Sequence, residues 1–250
     1  MGYNLLFLFV ILFIIIFLII ENANEVDTFI NKNPKILFLL RSYNRPEYLE
    51  KTLQSLDQSD VYKCYKKIIY DDCSDDKKTL ELLNKYNKKY KIIYNDKNYK
   101  QKSMVKFLEL IETNHKDYDL ICYLDNDAEV KPNFMEILLN TYRIILKNEK
   151  LAVDKLLITG FNCEKYHPVE KRYKYYLKKQ SLGGINMVFH KCLIGKVKKW
   201  WDVDEDWEIS RELKKEGGVL FSTNGSCIQH IGEIGHNSNK DRIYDQASDF

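Results

Sequence analysis

Two carboxylates one residue apart, Asp125 and Asp127, close the apolar run Leu120-Ile121-Cys122-Tyr123-Leu124. Hard oxygen donors in such a pair, with Asn126 between them, suit Mg²⁺ or Mn²⁺ that keeps open positions for a diphosphate. Spacing alone says little, because Asp-x-Asp also occurs at 117/119, 202/204 and 204/206. Only the 125/127 copy directly follows a strand-like run, and ligands of open α/β sheets bind where such strands end. Residues i and i+2 of an extended segment share a side, so both carboxylates are expected to face the same way. A further acidic stretch, Asp202-Val203-Asp204-Glu205-Asp206, precedes Trp207 to Lys215, which has helical character. Acidic residues suit a helix start, so capping alone accounts for much of that stretch.

The elements that must position these residues alternate. Lys35 to Leu40, Lys67 to Tyr70 and Ile92 to Tyr94 read as strands, separated by helices over Pro46 to Leu56 and about Lys77 to Tyr90. A helix over Ser103 to Glu112 leads into the strand that ends at Asp125, and Asn133 to Lys147 is strongly amphipathic. Strands are also expected over Leu156 to Phe161, Ile185 to Phe189, Val219 to Phe221 and Cys227 to Ile231. Residues 164–180, rich in Lys and Tyr, have no clear period and read as a surface excursion. Regular alternation of this kind predicts an α/β domain with a mainly parallel central sheet and helices on both faces.

Composition narrows the classes. A chain of 250 residues with 45% hydrophobic and 30% charged residues can bury a full core and is not disordered. A net charge of +3, with Lys and acidic residues interspersed, offers no nucleic-acid-binding face. The six cysteines form no Cys-x-x-Cys pair, which argues against a zinc ribbon. No Walker loop, dinucleotide fingerprint or His-Glu-x-x-His motif is present. Leu5 to Ile20 is an unbroken apolar run followed by Glu21, Glu25 and Asp27. It reads as a hydrophobic helix over residues 1–20 that anchors the chain in a membrane, followed by a stem at 21–34 and a lumenal domain at 35–250. A signal peptide cleaved near Ala23, leaving a secreted domain, is the other reading.

Four stretches in order resemble the inverting GT-A glycosyltransferases of family 2, over roughly residues 35–232. They are Arg41-Ser42-Tyr43-Asn44-Arg45-Pro46, Asp71-Asp72-Cys73-Ser74-Asp75, Tyr123-Leu124-Asp125-Asn126-Asp127, and Gly183-Gly184-Ile185-Asn186-Met187 with Glu205-Asp206-Trp207-Glu208-Ile209. The chain departs from the pattern at Asn98-Tyr99-Lys100, where a Gly usually follows the Asn by two. The resemblance implies a GT-A (nucleotide-diphospho-sugar transferase) fold and transfer of a sugar, with inversion, from a nucleotide-sugar, UDP-linked for preference. The acceptor would be a hydroxyl of a glycan, protein or lipid.

Carried onto this chain, the resemblance sets Ser42, Tyr43, Asn44 and Arg45 beside the nucleotide, Arg45 on a phosphate. Their local alternative is a helix-start turn ahead of Pro46. Asp71 or Asp72 would accept the base's imide N–H, or else close an Asx turn. Lys97 would lie near the nucleotide, or else remain solvated. Asp125 and Asp127 would hold the metal, Asp127 more directly, with His230 as a third ligand that favours Mn²⁺ over Mg²⁺. His236 is a weaker alternative for that role. Gly183 and Gly184 would let the backbone approach the donor sugar, with Asn186 and Trp207 on the donor and acceptor side. Asp206, opening its helix, would be the general base, and Glu205 would touch the acceptor. Trp200 and Trp201 divide between sugar faces and core packing. Two competing classes are a nucleotidyltransferase and a non-catalytic sugar-binding relative. The first needs a Gly-rich loop after the first strand, and Leu39 to Asn44 contains no Gly.

Overall fold

The computed structural model describes residues 7–16, 33–114, 117–233 and 245–250, with the side chains of residues 114 and 202–205 also outside the description. Residues 7–16 form a helix, α1, whose ten side chains are all exposed. At about 1.5 Å per residue such a helix covers about half of a bilayer core. Among the described residues no helix is long and apolar enough to cross a membrane. The rest of the expected span and the stem lie outside the described residues, apart from residues 33 and 34.

From Ile36 onward the chain builds a nine-stranded sheet in the order β3-β2-β1-β4-β9-β6-β10-β8-β7. Its parallel half consists of β1 (Ile36–Ser42), β2 (Lys66–Asp71), β3 (Lys91–Tyr94), which is an edge strand, and β4 (Leu120–Asp125). The helices α2 (Pro46–Asp57), α3 (Lys77–Tyr86) and α4 (Ser103–Asn114) connect them. Within β1, Ile36, Phe38 and Leu40 face one core, and Leu37 and Leu39 face the other. The first core takes in Leu49 and Leu53 of α2, Leu83 of α3 and Leu138 of α5 (Phe134–Glu149). The second takes in Phe107 of α4 and Val197 and Trp201 of α6 (Ile194–Lys215). A strand buried on both faces needs a continuous apolar run, and β1 and β4 have one.

Beyond β4 the sheet is mixed rather than mainly parallel. β9 (Asn186–His190) runs antiparallel to both β4 and β6 (Leu156–Thr159), and β10 (Val219–Thr223) returns parallel to β6. A parallel neighbour requires a crossover, usually a helix, and none lies between β6 and β9. The supposed excursion at 164–180 contains the hairpin β7 (Val169–Arg172) and β8 (Tyr176–Lys179), which extends the sheet past β10. Its edge strand is Val-Glu-Lys-Arg, and β8 buries Lys179, so no apolar alternation marks it in the sequence. A second, two-stranded sheet pairs β5 (Ala128–Val130) with β11 (Ile228–His230).

One boundary changes the site. The acidic stretch 202–206 does not open a helix: α6 runs unbroken for 22 residues through it. Ile194, Val197, Trp201, Ile209 and Leu213 place one helical face of α6 in the second core on both sides of the acidic stretch.

Candidate active site

The strand order reverses at β1, with β2 on one side and β4 on the other, so the carboxyl ends of β1 and β4 mark the switch point where open α/β sheets bind ligands in a crevice. Register brings Arg41 opposite Asp125. The guanidinium grips this carboxylate with two bonds, Nε to Oδ1 at 2.8 Å and Nη2 to Oδ2 at 3.2 Å. The Tyr123 hydroxyl donates to the same carboxylate. Burial nevertheless raises the Asp125 pKa above the ordinary carboxylate range, against Arg41 and with help from neighbouring Asp127.

Asp127 faces other partners. β4 ends at Asp125, and Asn126 and Asp127 form a turn before β5, so the side-chain alternation stops between the two carboxylates. Thr52 of α2 holds this turn, donating its hydroxyl to the Asn126 carbonyl at 2.9 Å and accepting from the Ala128 N–H at 3.1 Å. Oδ2 of Asp127 accepts from Arg45 Nη1 at 2.7 Å and lies 3.3 Å from His230 Nε2. His230 arrives through the β5–β11 pairing, in which it is the partner of Ala128. His230 and Arg45 outweigh the burial of Asp127 and hold its pKa down at about 2. Burial opposes charge on His230 as well, but its bonds to Asp127 and Asp245 raise it to about 10. Gly232 leaves the space open: a Cβ there would fall 2.3 Å from Asp127 Oδ2 and 2.7 Å from His230 Nε2.

The first-strand loop borders the same crevice. Asn44 and Arg45 have φ of 46° and 60°, a conformation that non-glycine residues rarely adopt and that clusters at functional sites. Asn44 is held there by Ser74, Asp75 and Asp76: its N–H donates to Ser74 Oγ at 2.8 Å, and its Oδ1 accepts from both Asp N–H groups. Ser42 is buried and Tyr43 exposed. Asp71 accepts from the Ser74 N–H and hydroxyl, and burial raises its pKa against those bonds. Asp72 accepts from the Asn95 amide and from the Tyr99 and Lys100 N–H groups, which fastens the loop that departs from the family pattern. The Lys97 ammonium sits over the Tyr99 ring.

The opposite wall comes from the entry to β9. The Asp125 N–H donates to the Ile185 carbonyl at 3.0 Å, which fixes Gly184 beside the end of β4. A Cβ on Gly184 would lie 3.5 Å from Asp206 Oδ2, so the Asp206 carboxylate rests against this glycine. α6 therefore presents Asp206 from mid-helix, and Trp207, next along, is half exposed with its ring 5.2 Å from that of His167. His167 also borders Gly183 and is fixed by Ser181, with its Nδ1 2.9 Å from the hydroxyl. Burial pushes the His167 pKa down to about 4.

Most of the expected residues stand at or just beyond the carboxyl ends of the parallel strands or beside the entry to β9, with three departures. Asn186 is fully buried, and its amide joins Tyr123 O (2.6 Å) to the Gly160 N–H (2.9 Å), tying β4 and β9 to the residue after β6 inside the sheet. Asp125 turns to Arg41 rather than toward His230, and among the described residues no three His, Cys, Asp or Glu side chains are grouped to hold a metal. Trp200 and Trp201 pack in the second core. The Glu205 side chain and His236 lie outside the described residues. Sequence reasoning missed His167, Gly232 and Asp245 as parts of the site, because each is brought in by strand pairing or tail docking that no local pattern announces.

A mixed α/β/α sheet with acidic side chains gathered at the switch point of its parallel half defines the GT-A arrangement. The sequence profile of glycosyl transferase family 2 matches residues 39–203, and the chain belongs to that family. Among solved structures, GalNAc-T7 with UDP, GalNAc and Mn²⁺ shares 14% identity at a TM-score of 0.62, over 84% of this chain and 45% of that one. S. aureus TarS 1-349 in complex with UDP-GlcNAc shares 16% at 0.57, over 84% of this chain and 62% of that one. TarS 1-349 with UDP shares 15% at 0.53, over 78% and 59% respectively. The chain thus spans about half the length of these neighbours. A comparison with curated proteins finds no match.

Proposed function

We propose that this glycosyltransferase moves a sugar from a UDP-sugar onto a hydroxyl acceptor with inversion at the anomeric carbon, assisted by a divalent ion. The observation that supports the reading is that the Asp206 carboxylate rests against Gly184, whose neighbour Ile185 accepts from the Asp125 N–H at the end of β4, two residues before Asp127. Inversion needs a proton acceptor across from the departing group, and Asp206 beside Gly184 suits that place. Arg41 in β1 and Arg45 at the start of α2 supply positive charge where a diphosphate would lie. Support for UDP comes from the ligands named for the structural neighbours.

Asp127 and His230 fit a divalent ion. Their donor atoms stand 3.3 Å apart, the separation of two adjacent ligands on one ion at bonds of roughly 2.1 Å, and Gly232 leaves the cradle free of a Cβ. Imidazole beside carboxylate suits Mn²⁺ better than Mg²⁺. An ion held there would neutralise the charge that builds on the leaving diphosphate. Asp71 or Asp72 would accept the imide N–H of the base, and Trp207 with His167 forms an aromatic face for the acceptor.

The experiment is to incubate the purified protein with Mn²⁺, a panel of nucleotide-sugars and simple acceptors, and to follow diphosphate release and the product's anomeric configuration. Asp206→Asn should lower kcat by 10²- to 10⁴-fold, as loss of a general base does, with little change in melting temperature. A retained configuration, or an Asp206→Asn enzyme of full activity, would refute the assignment. For location, we propose that the apolar run at residues 1–20 anchors a lumenal domain, which the full exposure of α1 supports. Release of the full chain from membranes by alkaline carbonate would disprove the anchor.

A further inference from the structure

Residues 245–250 lie across the edge of the site and hydrogen-bond to residues 15 to 87 positions earlier in the chain. Asp249 accepts from the Ser226 N–H at 3.0 Å and from the Asn162 amide at 3.2 Å. The Ser248 N–H donates to the Asn162 carbonyl at 2.8 Å, and the Ala247 N–H to Gln229 Oε1 at 2.7 Å. The strap so fastened ends its run along β11 at His230, where Asp245 places both its carboxylate Oδ1, 2.7 Å away, and its carbonyl, 3.0 Å away, on the imidazole Nδ1. Nε2 is thereby turned toward Asp127.

We infer that Asp245 is a positioning residue for the metal site, acting through His230, and that docking of the strap completes that site. An imidazole binds an ion through one nitrogen only when the other carries the proton, and an acceptor on Nδ1 fixes both the tautomer and the ring plane. The two oxygens of Asp245 perform this for Nε2, while Gly232 keeps the facing space clear. The inference rests on the metal reading above, but it concerns a residue that takes no part in holding ion or nucleotide itself.

The test is a double-mutant cycle on the full chain, with Mn²⁺ affinity read by electron paramagnetic resonance of free Mn²⁺ in the presence of UDP. Asp245→Ala should weaken Mn²⁺ binding by 10- to 100-fold, the usual cost of losing such a partner, and the isosteric Asp245→Asn by several-fold. In a His230→Gln background the Asp245→Ala loss should vanish. Metal-free melting temperatures guard against a folding defect, and Asp245→Asn preserves the shape should the alanine variant fail to fold. Unchanged affinity in both single variants, or an equal loss in the His230→Gln background, overturns the inference. Wild-type protein that binds no Mn²⁺ with UDP overturns the metal reading itself, a distinct outcome.

Discussion

Asp127 has three neighbours that decide its chemistry: Arg45, His230 and the bare backbone of Gly232. The two cations keep the carboxylate ionised far into acid, so it is a ready ligand at any physiological pH. His230 is different, since without metal it holds a proton up to about pH 10 and must release it to ligate. Gly232→Ala tests whether the cradle matters. Its new Cβ would meet Asp127 Oδ2 at 2.3 Å and Arg45 Nη2 at 2.9 Å, so those side chains must move apart. Mn²⁺ affinity in the presence of UDP should fall by about tenfold or more, as it does when the surroundings of a ligand are disturbed. A calorimetric titration matching wild type would show that the space beside Asp127 is irrelevant.

At the scale of elements, α6 carries the base proposed here and both of the buried tryptophans of the second core. Its continuity through residues 202–206 is what sets Asp206 against Gly184. Had the acidic stretch been a helix start, a proline at position 203 would be welcome there. Within an unbroken helix the same residue removes a hydrogen bond and clashes with the preceding turn, costing about 3 kcal/mol or more. Val203→Pro should therefore destabilise the protein by that amount in urea unfolding and also abolish transfer. A variant as stable as wild type would mean that the helix is broken at this point. The β5–β11 pair has a comparable role on the other wall, because only that pairing brings His230 to Asp127 from 103 positions away.

For the whole molecule, protonation links the site to stability. His167 and His190 are buried, and burial lowers each to about pKa 4. Unfolded, each would bind its proton near pH 6.5, so between pH 6.5 and 4 the unfolded chain holds more protons and stability falls as the pH falls. His230 has the opposite sign: its contribution is fully present below pH 6.5 and is lost as the pH rises toward 10. Urea unfolding of metal-free protein at pH 7 and at pH 4.5 should show an acid loss on the order of 2 kcal/mol for each buried histidine. Replacing both by Gln should flatten the slope between those pH values, whatever it does to absolute stability. An unaltered slope would place the acid sensitivity elsewhere.

What the sequence determined by itself is local. Unbroken apolar runs marked β1 and β4, Pro46 marked the start of α2, and the spacing around Asp71, Asp125 and Gly183 carried the family resemblance, because strands buried on both faces and tight turns restrict residue type position by position. The tertiary structure decided what depends on pairing between distant segments. It turned Asp125 to Arg41, placed Asn186 inside the sheet, formed a hairpin from charged residues 169–179 and brought Asp245 to His230. These outcomes rest on strand registers and on hydrogen bonds between residues 15 to 84 positions apart, and neither hydrophobic period nor turn chemistry encodes such contacts along the chain.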